Sequence, residues 1–216
     1  MTAFLYLVTL SAFAHIFTDY RAADNPDKPI WRYATYVFKP LTMLLIIAML
    51  VFADIGSAGY LILAALLFSV VGDVFLMLPK KPIVPALGSF LVAHALFVIE
   101  FTGRAPMSFS WELVAVAIGI LTWVAMVASQ LIHKLGKLLI PGMVYYLAIS
   151  LMVFFAANVY LNGVAGGGLL ILGALLFFVS DTSLAFNRFG APWRAGQFVI
   201  LATYFSGQFL ITASLL

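Results

Sequence analysis

The chain has 216 residues, of which 65% are hydrophobic and 9% are charged, and its mean hydropathy is +1.15. Soluble domains carry about 25% charged residues, so the composition excludes a soluble protein and predicts a polytopic membrane protein, which the segment lengths given below identify as all-α. The absence of cysteine excludes disulfides, thiolate nucleophiles and cysteine metal sites. The net charge of +3 and the pI near 9.2 would also suit nucleic-acid binding. The positions of the basic residues, described below, argue against it.

Polar residues and helix breakers divide the chain into eight apolar segments. A spanning helix needs about 20 residues, whereas a membrane barrel uses alternating strands of about ten. We therefore predict a single domain over residues 1–216 with eight transmembrane helices. The first segment lacks the basic start and cleavage site of a signal peptide, so we expect it to be retained. The segments cover approximately residues 3–19, 36–53, 58–78, 84–101, 112–130, 138–157, 166–187 and 195–214.

Basic residues distinguish the two sides of the membrane. The odd-numbered loops hold ten lysines and arginines, and the even-numbered loops hold only Arg104. The positive-inside rule places the odd loops in the cytoplasm and both termini outside, as expected in a bacterial inner membrane. There the basic residues would meet anionic headgroups, which explains the pI without nucleic acid. The ten residues are Arg21, Lys28, Arg32, Lys39, Lys80, Lys81, Lys134, Lys137, Arg188 and Arg194.

The third and seventh segments resemble each other. Residues 61–73 (LILAALLFSVVGD) align with residues 169–181 (LLILGALLFFVSD) through a shared Leu-Leu-Phe and a one-residue gap before the aspartate. Segments four apart run in the same direction, so the pattern predicts two parallel four-helix repeats related by an axis along the membrane normal. Chance similarity between apolar segments is the alternative.

Asp73 and Asp181 are carboxylates inside these apolar segments. An ionisable side chain within a transmembrane helix is costly and by default indicates a functional site. The repeat places both at similar depth, where two neighbouring carboxyl groups favour one protonated acid beside one ionised base. We therefore predict a catalytic pair. Alternatively, each aspartate pairs with a nearby basic residue, for example Asp181 with Arg188.

Candidates for substrate binding lie in segments 1, 2 and 8. Lys39, which we place at the start of segment 2, could bind a phosphate or simply extend to the interface. Tyr204 and Gln208, four residues apart on one helix face, could hydrogen-bond a glycerol or phosphate oxygen, or the aspartates. Ser11, His15 and Asp19 form a polar stripe with the same spacing, in which His15 could orient Asp19 or relay a proton. Interhelical hydrogen bonds are the alternative for this stripe and for Tyr204 and Gln208.

His94 lies near the middle of segment 4. It could be a satisfied core residue, a substrate contact, or a third metal ligand with Asp73 and Asp181. No local spacing such as HExxH requires a metal. We therefore predict no metal and no cofactor. Tyr145 and Tyr146 are interpreted as packing residues.

Five short motifs from segment 2 to segment 8 occur in a characteristic order. They are residues 38–42 (FKPLT), Gly72-Asp73 with Leu78-Pro79, Gly88 with Phe90 and His94, residues 175–181 (LLFFVSD) and residues 204–208 (YFSGQ). Together they resemble the YhhN-like family of transmembrane lysoplasmalogenases. The resemblance implies an eight-helix protein that hydrolyses the vinyl ether bond of lysoplasmalogens to a fatty aldehyde and glycerophosphoethanolamine or glycerophosphocholine. It also implies catalytic roles for Asp73 and Asp181.

This chemistry suits two inequivalent carboxyl groups. Protonation of the vinyl ether at carbon gives an oxocarbenium ion, water adds, and the hemiacetal collapses, which requires an acid, a stabiliser of positive charge and a base. The expected partners are a lysophospholipid substrate within the bilayer and membrane lipids, with no nucleic acid. One alternative is a transporter of lysophospholipids or small molecules whose aspartates bind the cargo. Another is a structural membrane protein in which the buried aspartates are dispensable.

Overall fold

The computed structural model describes residues 2–25, 27–53, 56–78, 82–193 and 195–216. Within these ranges the chain forms eight α-helices, two short 3-10 turns and no β-strand. Seven helices are long and apolar enough to span a membrane, and the 18-residue α8 packs against α7. The predicted all-α, polytopic membrane fold is confirmed. The helices are α1 (Thr2–Asp24), α2 (Pro29–Val51), α3 (Ser57–Met77), α4 (Ile83–Arg104), α5 (Trp111–Leu131), α6 (Leu139–Leu161), α7 (Gly167–Phe189) and α8 (Gly196–Ala213), with 3-10 turns at Ile132–Lys134 and Gly136–Leu138.

The first two helices are longer than predicted. α1 continues to Asp24, and α2 begins at Pro29 rather than near residue 36. The polar residues between the two apolar segments predict a long loop, but polar residues outside the hydrocarbon region can continue a helix. Proline is also well suited to the first position of a helix, where α2 begins. Arg21 and Arg32 are therefore helical. Lys39 lies ten residues after Pro29, inside α2 rather than at its start.

Several other basic residues that were predicted to lie in loops lie in helices or 3-10 turns. Arg104 and Arg188 lie in the last turns of α4 and α7, because both helices extend past their apolar segments. Lys134 and Lys137 lie in the two 3-10 turns between α5 and α6. Three further basic residues and one motif proline, namely Lys80, Lys81, Arg194 and Pro79, lie outside the described residues.

The two halves of the bundle use similar helix neighbours. In the first half α2 packs against α3 and α3 against α4, and in the second half α6 packs against α7 and α7 against α8. The halves join where α4 packs against α6 and where α8 packs against α2. The repeat itself stays a prediction. The most extensive packing is between α3 and α4 in the first half and between α7 and α8 in the second.

Glycines set the spacing of these four helices. A Cβ added to Gly173 would lie 2.9 Å from the carbonyl oxygen of Gly207, and one added to Gly207 would lie 2.9 Å from that of Gly173. A Cβ on Gly72 would lie 2.6 Å from Cε2 of Phe90. Small residues let membrane helices approach closely. α8 therefore lies directly on α7, and the Phe90 ring of α4 lies directly on α3.

Candidate active site

Asp73 is held by two donors from different helices. Its Oδ1 lies 2.8 Å from Nζ of Lys39 on α2, and its Oδ2 accepts a 2.7 Å hydrogen bond from the hydroxyl of Tyr204 on α8. Its exposed fraction is 2%. Because a buried charge is stable only when it is paired, the Lys39 ammonium favours the carboxylate form of Asp73.

Asp181 has different partners. The hydroxyl of Tyr145 on α6 donates to Asp181 Oδ2, and Nε2 of His94 on α4 lies 3.8 Å from the same oxygen. The two aspartates are near enough for direct electrostatic interaction. The structure thus brings two carboxyl groups together and gives them unlike surroundings.

His94 is oriented by its own helix. Its Nδ1 lies 2.6 Å from the carbonyl oxygen of Phe90, and since a carbonyl only accepts, Nδ1 carries the hydrogen. In the neutral ring Nε2 is then an acceptor, and it has no hydrogen-bond partner among the described residues. The ring packs against Tyr145 and Phe177, with centroid distances of 5.2 and 4.9 Å. His94 thus presents a lone pair on the side of Asp181.

Each aspartate is contacted by a residue from the other half of the bundle. Tyr204 of α8 reaches Asp73 of α3, and His94 of α4 approaches Asp181 of α7. Phe177 joins the two groups, because its ring packs on Tyr204 at 5.3 Å as well as on His94. The candidate site is therefore built at the interface between the two predicted repeats.

An apolar cavity of about 540 Å³ reaches this site. Asp181 and Tyr145 form part of its wall, which the helices α3 to α7 and the 3-10 turns between α5 and α6 supply. The volume falls within the range of about 300–1,000 Å³ that is usual for small-molecule sites. Most of the lining is aliphatic, including Leu76, Leu87, Ile120, Leu121, Val124, Val127, Leu131, Leu138, Leu139, Leu147 and Leu184. A hydrocarbon chain beside a carboxyl group fits this cavity.

Two other predicted residues flank the Asp73 group. The buried His15 packs edge-on against Phe205 at 5.6 Å, lies within electrostatic range of Lys39, and makes no hydrogen bond to the described residues. The amide of Gln208 is fully buried beside the hydroxyl of Tyr204, with no hydrogen bond of normal geometry to the described residues. Both lie next to the site, and their substrate-binding roles stay predictions.

The polar stripe of α1 is divided. Ser11 and Thr42 share a 2.8 Å hydrogen bond between α1 and α2, which is the interhelical contact proposed as the alternative for this stripe. Asp19, one turn beyond His15, is half-buried. No group of three or more histidines, cysteines or carboxylates in the described part of the chain is placed to hold a metal ion.

Sequence reasoning missed the tyrosines of α6 and their neighbours. The sequence predicts a packing role for Tyr145, yet its hydroxyl donates a hydrogen bond to Asp181 Oδ2. The Tyr146 hydroxyl lies 2.6 Å from Oγ1 of Thr182, which also accepts a 3.2 Å hydrogen bond from Nε1 of Trp123 on α5. The available signal was a pair of adjacent tyrosines within an apolar segment. Only the fold shows that α6 turns them towards α7.

These features define a class: integral membrane proteins of all-helical fold with a buried aspartate pair beside an apolar cavity. Residues 34–215 match the YhhN family, and the chain belongs to that family. It is 30% identical over 210 residues to the uncharacterized membrane protein YhhN of Escherichia coli O6:H1, covering 96% of both chains. It is 32% identical over 193 residues to lysoplasmalogenase TMEM86B of Sus scrofa, covering 87% of this chain and 77% of the relative. With the Homo sapiens protein of that name the identity is 34% over 162 residues, covering 74% and 66%. No solved structure matches.

Proposed function

We propose that the protein hydrolyses the vinyl ether bond of lysoplasmalogens to a fatty aldehyde and glycerophosphoethanolamine or glycerophosphocholine. The observation that carries the proposal is the pair of buried aspartates with unlike partners, one of which lines an apolar cavity. The relatives named lysoplasmalogenase support this reaction class. An alkenyl lysophospholipid has a hydrocarbon chain, which fits the apolar cavity, and an acid-sensitive vinyl ether, which fits the carboxyl groups beside it.

The two aspartates take different roles in this proposal. Asp73 faces the Lys39 ammonium and stays ionised. Asp181 has the neutral hydroxyl of Tyr145 on Oδ2, so Oδ1 is available to carry a proton. Because burial without a paired cation disfavours charge, and because Asp181 lines the cavity, we assign Asp181 as the acid.

The reaction begins with proton transfer from Asp181 to the vinyl carbon farther from the ether oxygen. The π electrons form the new C–H bond, and positive charge spreads over the other vinyl carbon and the ether oxygen. The Asp73 carboxylate and the newly ionised Asp181 stabilise this oxocarbenium ion, as a carboxylate pair does in glycosidases.

Water then adds to the cationic carbon. Nε2 of His94 has a lone pair near Asp181 and accepts one proton from the water as general base. The hemiacetal then gives its hydroxyl proton to the Asp181 carboxylate while its C–O bond to glycerol breaks, and the glycerol oxygen takes up the proton that His94 has carried. The products are the aldehyde and the glycerophospho-alcohol, and the site returns to its starting protonation.

The test uses purified protein in detergent with an alkenyl lysophospholipid, and free aldehyde is measured with a coupled NAD-dependent aldehyde dehydrogenase. Alkyl-ether and acyl lysophospholipids of the same chain length are the controls, because neither holds a vinyl ether. We expect aldehyde from the alkenyl substrate alone. Turnover without a second compartment would exclude pure transport. Absence of aldehyde from all alkenyl lysophospholipids would overturn the proposal.

A further inference from the structure

One face of α7 runs along the cavity from Asp181 to Arg188, and the exposed end of the cavity at Arg188 is called its mouth here. Four of its residues that line the cavity, Asp181, Leu184, Ala185 and Arg188, follow the spacing of a single helix face. Asp181 is buried, whereas Arg188 lies exposed in the last turn. Seven residues separate them, which corresponds to about 10 Å along the helix.

Charge is rare along this cavity. Among the described residues that line it, Arg188 is the only lysine or arginine, and Asp181 is the only carboxylate. A ligand that enters past α7 therefore meets one cation at the mouth and one carboxyl group inside.

The cavity also continues past Asp181. Its wall includes Ile120 of α5 and Ser150 of α6, and Ser150 lies five residues, or about 7 Å, beyond the Tyr145 that contacts Asp181. Asp181 thus stands between the mouth and an inner apolar end. A ligand with a charged head, a reactive centre and a hydrocarbon chain, in that order, matches this sequence of surfaces.

We propose that Arg188 binds the phosphate of the substrate lysophospholipid and so places the vinyl ether at Asp181, with the alkenyl chain directed towards Ile120 and Ser150. This inference rests on the proposed function. Seven bonds separate the phosphorus from the vinyl carbon that Asp181 protonates, and an extended chain gains about 3.3–3.6 Å for every three bonds, which gives about 8 Å. With one contact at each end this length agrees with the separation of Asp181 and Arg188. Arginine suits the role because its guanidinium can bind two phosphate oxygens at once.

The experiment compares an alkenyl lysophospholipid with the matching alkenylglycerol, which lacks the phosphate. Arg188→Gln should lower kcat/KM for the phospholipid about tenfold or more, mainly through KM, because a charge-assisted hydrogen bond is lost. The variant should treat alkenylglycerol as the wild type does. Arg188→Lys should recover part of the loss, since lysine keeps the charge without the two-point contact.

Lys137→Gln is the matched control, because Lys137 is an exposed cation in the turn before α6 and is not among the residues that line the cavity. It should behave as wild type on both substrates. If Arg188→Gln leaves the preference for the phosphorylated substrate unchanged, or lowers both activities equally, the phosphate site is overturned.

A third measurement separates this inference from the proposed function. Binding of a non-hydrolysable alkyl-ether lysophospholipid to the wild type and to Arg188→Gln should differ even if no aldehyde forms. Weaker binding by the variant would support the phosphate site while the proposed reaction fails, and equal binding would overturn the phosphate site.

Discussion

Lys39 illustrates how a single side chain can serve both stability and chemistry. Its ammonium is the cationic partner of Asp73, and its side chain is 12% exposed. Removing one member of a buried ion pair typically destabilises a protein by about 3–5 kcal/mol, because the other charge is left uncompensated, whereas replacing both members is often neutral. The pair therefore allows a test by single and double substitution.

Lys39→Met should lower the thermal unfolding temperature in detergent and abolish aldehyde release. The double variant Lys39→Met/Asp73→Leu should recover most of the stability but none of the activity, because the carboxylate that stabilises the cation is absent. Lys28→Met, at an exposed position before α2, is the control and should match the wild type. An unfolding temperature of Lys39→Met equal to that of the wild type would contradict the ion pair.

Tyr145 holds the second aspartate of the pair through its hydroxyl. Tyr145→Phe removes the donor to Asp181 Oδ2 while keeping the ring that packs on His94. Leaving a buried acceptor unsatisfied costs about 1–3 kcal/mol, so we expect lower stability and a reduced rate of aldehyde release. Tyr160→Phe alters an exposed tyrosine of the same helix and should change neither property. A wild-type rate of aldehyde release by Tyr145→Phe would show that this hydroxyl takes no part in the reaction.

Single residues also show what sequence can reveal. Asp73 and Asp181 could be predicted because a carboxylate in an apolar helix is costly wherever the helix packs. The role of Tyr145 could not, since a tyrosine in such a helix is equally typical of packing, and only the orientation of α6 against α7 distinguishes the two. The sequence indicates Lys39 as a candidate site residue but does not indicate its partner Asp73. The reason is that a helix start predicted near residue 36 places Lys39 at the membrane interface rather than inside α2.

The contact between helices α7 and α8 determines where Tyr204 lies. Gly207, three residues after Tyr204, meets the backbone of Gly173 across the helix interface. The length of the apolar segments predicted both helices, because an uninterrupted apolar run of about 20 residues needs few further signals. It did not predict the ends of α1 and α2, where interfacial polar residues remain helical. It also did not show which glycines lie at close contacts and which face open space.

Gly207→Ala should destabilise the protein by about 1–3 kcal/mol, because the added methyl overpacks the interface. It should also reduce aldehyde release by displacing Tyr204 from Asp73. Gly119→Ala is the matched control, since a Cβ at Gly119 in α5 meets nothing within 4 Å and alanine is favoured over glycine in a helix by up to about 1 kcal/mol. Equal unfolding temperatures for the two variants would contradict the close α7–α8 contact.

For the whole molecule, the orientation in the membrane stays a prediction from the charge distribution. Both termini are expected outside, and the turn holding Lys134 and Lys137 is expected in the cytoplasm. In a bacterial host, alkaline phosphatase fused after Leu216 should therefore be active, and a green fluorescent protein at the same position should be dark. A bright C-terminal fluorescent fusion would show that the C-terminus lies in the cytoplasm, which is opposite to the predicted orientation. It would also place the mouth at Arg188 on the outer side.

Hydrolysis by the aspartate pair is tested most directly by the rate of aldehyde release by purified Asp73→Asn and Asp181→Asn. Each change keeps the side-chain shape but removes either the anionic charge or the transferable proton. Asp24→Asn, at the exposed end of α1, is the control. We predict that Asp24→Asn retains the wild-type rate, while both site variants remain folded and release no aldehyde above background. Wild-type turnover by a folded Asp73→Asn or Asp181→Asn protein would contradict the role assigned to that aspartate.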